Sequence, residues 1–417
     1  MSLRVFFSII ALLLMIVTRG QVPQNKTADY IKSAGFVRGN QSTFPHFKLG
    51  ESFTLEFDDL YADEGNYYYR VIAYNYDWSP SDLRKIEYVT GMDNQRIRTY
   101  ENSFNTLQDY THYSLTLPNT QYSITKSGNY TLEIYDDNNE VVIRRKFVLY
   151  EDAINVPIQV KRTRNLEFYD TKQRLEFTVP LGDVEYQNPL KNIRVAIFQN
   201  GRWDTFLKDI TPQYTVATDL VYKYDAETQF WGDNQYLNFD NSDIRQVNNM
   251  IGATNVTNGI YNTYLHINDS RRDKTYTYFP DLNGHFYPRT INKFKKVAIE
   301  GEYSWVYFTY SPPLDMPVGS DYYVTGMFND YELTATNKLE LNDETGLYEK
   351  AILIKQGFTN FKYTVTVNGK VAPEWNADGN FAFTTNTYQV IVYYRGTLDR
   401  YDRAIGYGFV NAQDITY

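Results

Sequence analysis

The sequence predicts an all-β protein made of consecutive immunoglobulin-like β-sandwich domains. The chain has 40 Tyr and 25 Phe among 417 residues, and aromatic side chains favour half-buried strands. From Lys48 onward, apolar and polar residues alternate with a period of two, and turn residues interrupt the pattern at short intervals. A chain of this length is expected to form two or three domains, each with its own core.

The N-terminal 20 residues are predicted to be a secretory signal peptide. A short basic start, 1–4, leads into an apolar run, 5–17, and the small residues Thr18 and Gly20 follow. The apolar run is short for a membrane span, although an uncleaved anchor is the alternative. The chain has no Cys, which fits the bacterial periplasm better than a disulfide-rich secretion route. We therefore expect an exported protein with no membrane span.

The first predicted domain covers residues 21–150 and contains a long insertion at 78–112. Its predicted strands are Ser52 to Phe57, Asn66 to Tyr76, Tyr113 to Leu117, Asn129 to Tyr135 and Val141 to Tyr150. Asp136 to Asn139 are predicted to form a hairpin turn. The insertion is aromatic and lacks strict alternation, so it is either a binding loop or a lid that buries Trp78 and Phe104.

Two further domains are predicted, a middle β domain at 151–300 and a C-terminal sandwich at 301–417. Alternation continues through both ranges, with a short charged bridge between them at 292–302. The middle domain contains an acidic and aromatic cluster that either grips a partner or caps the edge of a core. Its members are Phe230, Trp231, Tyr236, Phe239, Asp240 and Asp243.

No arrangement typical of an enzyme is present in the sequence. The absence of Cys excludes a thiol nucleophile and a thiolate metal site, and the four His residues are scattered, at 46, 112, 266 and 285. Asp58 and Asp59 are adjacent in a predicted strand and must point to opposite faces, so they cannot act together as a glycosidase pair. We predict a protein that is not an enzyme and that needs no metal and no cofactor.

The charge of the chain argues against a nucleic-acid partner. The formal net charge is -9 and the pI is about 5.1, whereas nucleic-acid-binding proteins present a basic surface.

The last quarter of the chain resembles the immunoglobulin-like modules of the glycogen-binding and isoamylase-N-terminal type. The resemblance rests on residues that occur in the same order: Val324, Gly326, Phe328, Asn329, Gly346, Tyr348, Glu349, Gly357, Phe361 to Tyr363 and Val367 to Gly369. In that family two aromatic side chains help a sugar to stack. The matching positions here are Tyr331 and Trp375, which give an alternative function, a periplasmic glycan-binding protein.

A second resemblance covers essentially the whole mature chain. It is carried by ordered blocks at 57–60, 67–70, 74–81, 100–106, 230–231, 236–240 and 392–395. Together these blocks resemble the plug protein family of the bacterial type 9 secretion system. The resemblance implies a periplasmic protein, held at the outer membrane by a giant β-barrel translocon, that closes the inner mouth of this pore when no substrate is passing.

Candidate partner-binding residues lie mainly in the long insertion. If it is a docking loop, we expect Tyr100, Phe104 and Tyr110 to be partly exposed anchors, with Arg96 and Arg98 on the polar rim. A second candidate surface surrounds Trp231 and Phe239.

Overall fold

The protein is an all-β molecule, as the sequence predicts. The structure is a computed structural model that describes residues 22–292 and 294–412, so the predicted signal peptide lies outside the described residues. The described helices are single turns: α1 (Lys85–Tyr88), α2 (Pro189–Asn192), α3 (Val297–Glu300) and the 3-10 turns Met327–Asn329 and Pro373–Trp375. Within these ranges, none of the helices has the length and apolar character needed to cross a bilayer.

The first sandwich contains thirteen strands. They are β1 (Lys26–Thr27), β2 (Ile31–Arg38), β3 (Gln41–Ser42), β4 (His46–Lys48), β5 (Phe53–Asp59), β6 (Tyr68–Tyr74), β7 (Val89–Gly91), β8 (Gln95–Arg96), β9 (Tyr100–Asn102), β10 (Thr111–Leu117), β11 (Tyr122–Ile124), β12 (Gly128–Tyr135) and β13 (Val141–Tyr150).

Two main sheets of this sandwich face each other across an aromatic core. One sheet has the order β1-β13-β12-β6-β8, with β4 alongside β13, and the other has the order β3-β2-β5-β10-β9. The predicted hairpin between β12 and β13 is confirmed, because the carboxylate of Asp136 accepts bonds from the backbone N–H of Asn138 and Glu140 at 3.0 and 2.8 Å. Asn139 takes the left-handed backbone that this turn requires.

The second sandwich is built from two separate parts of the chain. Its first part contributes β14 (Ile154–Asn155), β15 (Ile158–Arg162), β16 (Lys172–Val179), β17 (Ile193–Gln199), β18 (Leu207–Lys208), β19 (Tyr214–Val216), β20 (Asp219–Tyr222) and β21 (Gln229–Trp231). The remaining strands, β33 and β34, come from the C-terminal end of the chain at Thr387–Tyr394 and Arg403–Asn411. Together they form sheets of order β14-β34-β33-β17-β18 and β15-β16-β20-β19, with β21 beside β16.

The third sandwich lies between these two parts in the sequence. Its strands are β22 (Leu237–Asp240), β23 (Ile251–Thr257), β24 (Ile260–Leu265), β25 (Asn268–Asp269), β26 (Phe286–Pro288), β27 (Tyr303–Ser311), β28 (Ser320–Thr325), β29 (Glu340–Asn342), β30 (Leu347–Lys355), β31 (Gly357–Val367) and β32 (Lys370–Val371). One sheet is centred on β31, and the other has the order β23-β24-β27-β30-β29.

This arrangement differs from the predicted division at 151–300 and 301–417. Strand β17 pairs with β33 over the whole of Ile193–Gln199, nearly 200 residues away in sequence, so the third sandwich is an insertion within the second. Alternation along a chain predicts that strands exist, but it contains no information on which distant strands pair. The side-chain amide of Asn386 donates to the carbonyl of Gly232 at 2.7 Å, so the two ends of the insertion lie side by side.

The first and second sandwiches meet in an aromatic interface. Trp78 is buried and packs edge-on against Trp203, with 5.1 Å between the ring centroids. The ammonium of Lys146 lies 5.4 and 5.0 Å from the centres of these two rings. Trp78 is therefore buried, as the lid interpretation expects, and the neighbouring sandwich contributes to its burial. Phe104, the other residue of that interpretation, is 67% exposed.

We predict that a fragment of residues 152–300 does not fold, because it lacks β33 and β34. A fragment that joins 152–231 to 387–412 through a short Gly-Ser linker should unfold cooperatively, since it contains every strand of the second sandwich. Circular dichroism during thermal unfolding measures both results. Cooperative unfolding of the 152–300 fragment would contradict the discontinuous domain.

Candidate docking surface at the junction of the first and third sandwiches

A short loop of the first sandwich, 103–110, forms the centre of the candidate surface. It connects β9 to β10, which are neighbours in one sheet, and we call it the junction loop. Its two ends are closed by the N–H of Ser103 donating to the carbonyl of Tyr110 at 2.8 Å, and by the N–H of Tyr110 donating to the Ser103 hydroxyl at 3.0 Å.

The junction loop is fastened to the third sandwich. The backbone N–H of Phe104 donates to the carbonyl of Ile299 at 2.8 Å, and the N–H of Leu107 donates to the carboxylate of Glu302 at 2.9 Å. An ion pair between Glu101 and Lys296 adds a contact at the rim. The backbone of this loop is thus held by α3 and the residues around it.

Two apolar side chains of this loop nevertheless face solvent. Phe104 is 67% exposed and Leu107 is 47% exposed. Phe294, two residues before the Lys296 that pairs with Glu101, is 99% exposed. We call Phe104, Leu107 and Phe294 the junction patch. Exposed apolar side chains of this size at the junction of two sandwiches make it a candidate interaction site.

Three predicted residues of the insertion are found on or near the surface. Arg96 and Arg98 are both exposed. Tyr100 is half-buried, since its ring centroid lies 5.5 Å from that of Tyr113 and its hydroxyl lies 3.4 Å from the carboxylate of Glu64. These positions agree with the expectation of a partly exposed aromatic residue and a basic rim. The role of these three residues in binding a partner is still a prediction.

Tyr110 does not have the predicted exposure. Its side chain is fully buried between the two sandwiches, where its hydroxyl donates to the carbonyl of Gly301 at 2.9 Å. Its ring packs against Tyr303 at a centroid distance of 5.3 Å, and the ammonium of Lys355 lies 4.2 Å from the ring centre. Tyr110 therefore joins the sandwiches and is not an exposed anchor.

The second predicted surface, around Trp231 and Phe239, is also not an exposed pair. Phe239 is completely buried in the core of the third sandwich, because its position in β22 faces the opposite sheet. Trp231 is half-buried, with Phe168 edge-on at 5.6 Å and the ammonium of Lys172 at 4.2 Å from its ring. The expectation of a docking surface at Phe239 is wrong.

The two residues of the glycan alternative are both partly buried. Tyr331 shares a 2.9 Å hydrogen bond between hydroxyl groups with Tyr236, and the guanidinium of Arg202 lies 4.8 Å from its ring centre. Trp375 packs against the core of the third sandwich, and Arg272 lies 5.8 Å from its ring centre. These contacts leave no exposed aromatic platform at Tyr331 and Trp375.

A buried carboxylate lies beneath the junction patch. Asp58 has no exposed surface and accepts three bonds: from the ammonium of Lys355 at 2.7 Å, from the hydroxyl of Tyr303 at 2.6 Å and from the imidazole of His112 at 2.7 Å. Lys355 also donates to the carbonyl of Ala298 at 2.7 Å. Lys355 and Tyr303 belong to the third sandwich, so this cluster connects it to the first.

The protonation of this cluster follows from its contacts. Burial alone would raise the pKa of Asp58, but the Lys355 ammonium and the bond from His112 outweigh it, so the pKa lies below the ordinary value. Burial and the Asp58 charge raise the pKa of Tyr303, which therefore keeps its proton and donates it. Asp59 points the other way and accepts a bond from Tyr67 at 2.8 Å, as the strand geometry predicts.

The sequence contains one sign of this cluster, the acid Asp58 near the end of a predicted strand. A carboxylate has to be compensated if it is buried, but two of its three partners are 245 and 297 positions away. In the ranges 22–292 and 294–412, no three His, Asp or Glu side chains are grouped as metal ligands.

The described residues form three β-sandwiches, with exposed apolar side chains on a loop that the third sandwich holds in place. Residues 31–151, the first sandwich, match the family model described as "Type 9 secretion system plug protein 1st domain". Over the first sandwich, this match confirms the resemblance to the plug protein family of the type 9 secretion system that is seen in the sequence. The match supports a role related to type 9 secretion.

Comparison with solved structures supports the whole fold. A crystal structure of a hypothetical protein from Parabacteroides merdae ATCC 43184 superposes with a TM-score of 0.86 at 27% identity, and the match covers 93% of this chain and 98% of that chain. A structure of trypsin activated alpha-2-macroglobulin from Escherichia coli has 9% identity over 96% of this chain and 25% of that chain, with a TM-score of 0.18. No curated protein sequence matches significantly.

We predict that replacing Asp58 with Asn destabilises the protein by about 3–5 kcal/mol, because it leaves a buried ammonium without its counter-charge. Urea unfolding measures the loss. Glu101→Gln is the matched control, since it removes an exposed ion pair between the same two sandwiches and should cost less than about 1 kcal/mol. Equal losses in the two variants would show that burial of Asp58 contributes nothing.

The same carboxylate should make stability depend on acid pH. The folded-state pKa of Asp58 lies below the unfolded-state pKa of about 3.9. The contribution of the carboxylate to the free energy of unfolding is therefore fully present above the unfolded-state pKa, and it is lost as the pH falls through the folded-state pKa. The stability difference between the wild-type protein and Asp58→Asn should therefore shrink below about pH 4. Urea midpoints at a series of pH values test this, and a constant difference down to pH 2 would contradict it.

Proposed function

We propose that this protein is a non-enzymatic, periplasmic gate that binds the periplasmic end of the outer-membrane β-barrel translocon of the type 9 secretion system. In this function it closes the pore when no substrate is passing. The signal peptide predicted at 1–20 would export it to the periplasm, and the translocon would hold it at the outer membrane.

The observation that carries the proposal is the family match of the first sandwich together with the location of the junction patch. The match covers 31–151, and this range includes the junction loop with Phe104 and Leu107. An exposed aromatic side chain on the domain that defines the family is the best candidate anchor for the family's partner.

The geometry of the patch fits reversible binding. The backbone of the junction loop is already fixed by bonds to Ile299 and Glu302, so docking costs little conformational entropy. Exposed basic side chains at Arg96 and Arg98 supply rim contacts, which affect association rate and salt dependence more than final affinity. A gate that has to open needs this combination of a small apolar anchor and a polar rim.

The size and stiffness of the molecule also support the proposal. Three sandwiches are joined by buried contacts at Trp78, Asp58 and Asp233, so they act as one body. A body that closes a wide pore must not deform when solvent or solutes press on it, and densely packed interiors resist compression.

Two measurements on the purified components test the proposal. The tagged mature protein should capture the outer-membrane barrel from a detergent extract, and its addition should lower the ion conductance of the barrel in a planar bilayer. If the protein captures the barrel but does not change its ion conductance, the protein docks on the barrel and the gate function is rejected. Absence of both would reject the function as a whole.

We predict that Phe104→Ala weakens capture of the barrel by about 5- to 150-fold, which corresponds to about 1–3 kcal/mol at an interface anchor. The melting temperature should stay nearly unchanged because the side chain is exposed. Leu166→Ala is the matched control, since Leu166 is 89% exposed on the second sandwich, and it should leave both quantities unchanged.

Tyr110→Ala should behave in the opposite way in the same assay. Its ring is buried between the sandwiches, so its removal should lower the melting temperature at a cost of about 3–5 kcal/mol. Normal capture by Phe104→Ala would place the docking surface away from the junction patch.

A further inference from the structure

A cleft of about 680 Å³ separates the first and third sandwiches beside the junction loop. One wall consists of residues 27–34 of the first sandwich, with Leu60 and Gln108. The other wall is formed by residues 328–337 and by strand β30 of the third sandwich. The volume of the cleft lies in the range of cavities that hold ligands. Neither the family match nor the proposed gate function assigns a ligand to this cleft.

Strand β30 presents its edge to this cleft. All six consecutive residues from Lys350 to Lys355 line it, and consecutive residues of a strand point to opposite faces. A cleft that contacts both faces at once must run along the edge of the strand.

The backbone along this edge has no partner strand. On one side β30 pairs with β27 from Tyr348 to Lys355, whereas on the other side β29 pairs only with Leu347 to Glu349. Among the hydrogen bonds of the described residues, none outside the β27 ladder reaches the backbone of 350–354. Every second residue here therefore offers an N–H and a carbonyl to the cleft.

One basic side chain of the cleft has no ion pair among the described residues. Four basic and two acidic side chains line the cleft. Lys350 pairs with Glu340 and Lys355 pairs with Asp58, and Arg145 lies 3.8 Å from Asp330. Lys32 has no carboxylate within 4 Å in the described part of the chain. Burial lowers the pKa of Lys32, and the charge of Asp29, which also lines the cleft, only partly opposes this, so the ammonium is poorly solvated and lacks a direct ion pair.

The walls also offer apolar contacts of the kind that a strand needs for its side chains. Trp305 is 37% exposed and stands opposite Leu353 in the β27–β30 ladder, and Leu60 faces them from the first sandwich. Binding by strand addition combines backbone bonds with such side-chain pockets.

We propose that this cleft binds an extended segment of another polypeptide, which adds as a strand to the free edge of β30 and places a carboxylate against Lys32. Six residues of such a segment would span about 20 Å, beside Lys350 to Lys355 and in line with β29. The site is separate from the junction patch, and it does not depend on the proposed gate.

A set of short peptides tests this site in the full mature protein. The probe is an acetylated and amidated hexapeptide, Thr-Val-Asp-Val-Thr-Val, titrated by calorimetry up to 1 mM. A second peptide carries Lys in place of Asp, and two further peptides carry N-methyl groups on the odd or the even residues. We expect binding of the first peptide, at least tenfold weaker binding of the Lys peptide, and loss of binding for one of the two N-methylated peptides.

Hydrogen exchange and two protein variants locate the bound peptide. Backbone amides between 350 and 355 should exchange more slowly in its presence. Lys32→Glu should weaken binding at least tenfold, whereas Lys223→Glu, an exposed position on the second sandwich, should leave it unchanged. The melting temperature of each variant confirms that it is folded.

Several outcomes would overturn the proposal. These are no binding at 1 mM, equal binding of both N-methylated peptides, an unchanged affinity of Lys32→Glu, or slowed exchange only outside β30. Dimerisation of the free protein that protects the amides of β30 would show instead that a second copy of this chain covers the edge.

Discussion

The buried carboxylate of Asp58 is the interaction on which the arrangement of the first and third sandwiches depends. Removing a carboxylate from water costs several kcal/mol, and only close opposite charge and hydrogen bonds offset that cost. Two of its three partners, Lys355 and Tyr303, belong to the third sandwich. The first sandwich therefore reaches a low free energy only when the third is correctly placed, which fixes the position of the junction loop and of the cleft beside it.

A second buried charge cluster acts at the other end of the third sandwich. Asp233 lies where the chain leaves the second sandwich, and it pairs with Arg202 from the second sandwich at 3.2 Å and with Lys362 from the third. The two cations outweigh the effect of burial, so the pKa of Asp233 is lowered. Since the third sandwich is also attached to the second by two chain crossings, it is held covalently and electrostatically at once. This double attachment explains how an inserted domain can be part of a rigid body.

The sequence predicts the strands well because alternation is a local property. Val141–Tyr150 has the expected bounds, and Asp58 and Asp59 point apart as the pleat requires. The discontinuous second sandwich could not be predicted, because nothing local distinguishes a strand that pairs with its neighbour from one that pairs 200 residues away. The same limit applies to the candidate site. Tyr110 and Phe104 are both aromatic residues of one insertion, and only the position of the third sandwich decides that the first is buried and the second exposed.

The junction loop belongs to both surfaces of this region, and this links them physically. Phe104 and Leu107 form part of the junction patch, while Gln108 lines the cleft. A strand bound in the cleft would contact the same short loop that presents Phe104, whose backbone is held by the third sandwich. If occupation of the cleft shifts this loop, it changes the affinity of the patch, and by linkage a partner on the patch changes the affinity of the cleft by the same factor. The sign of that coupling depends on whether both ligands favour the same position of the junction loop, because this loop is the segment that contributes to both surfaces.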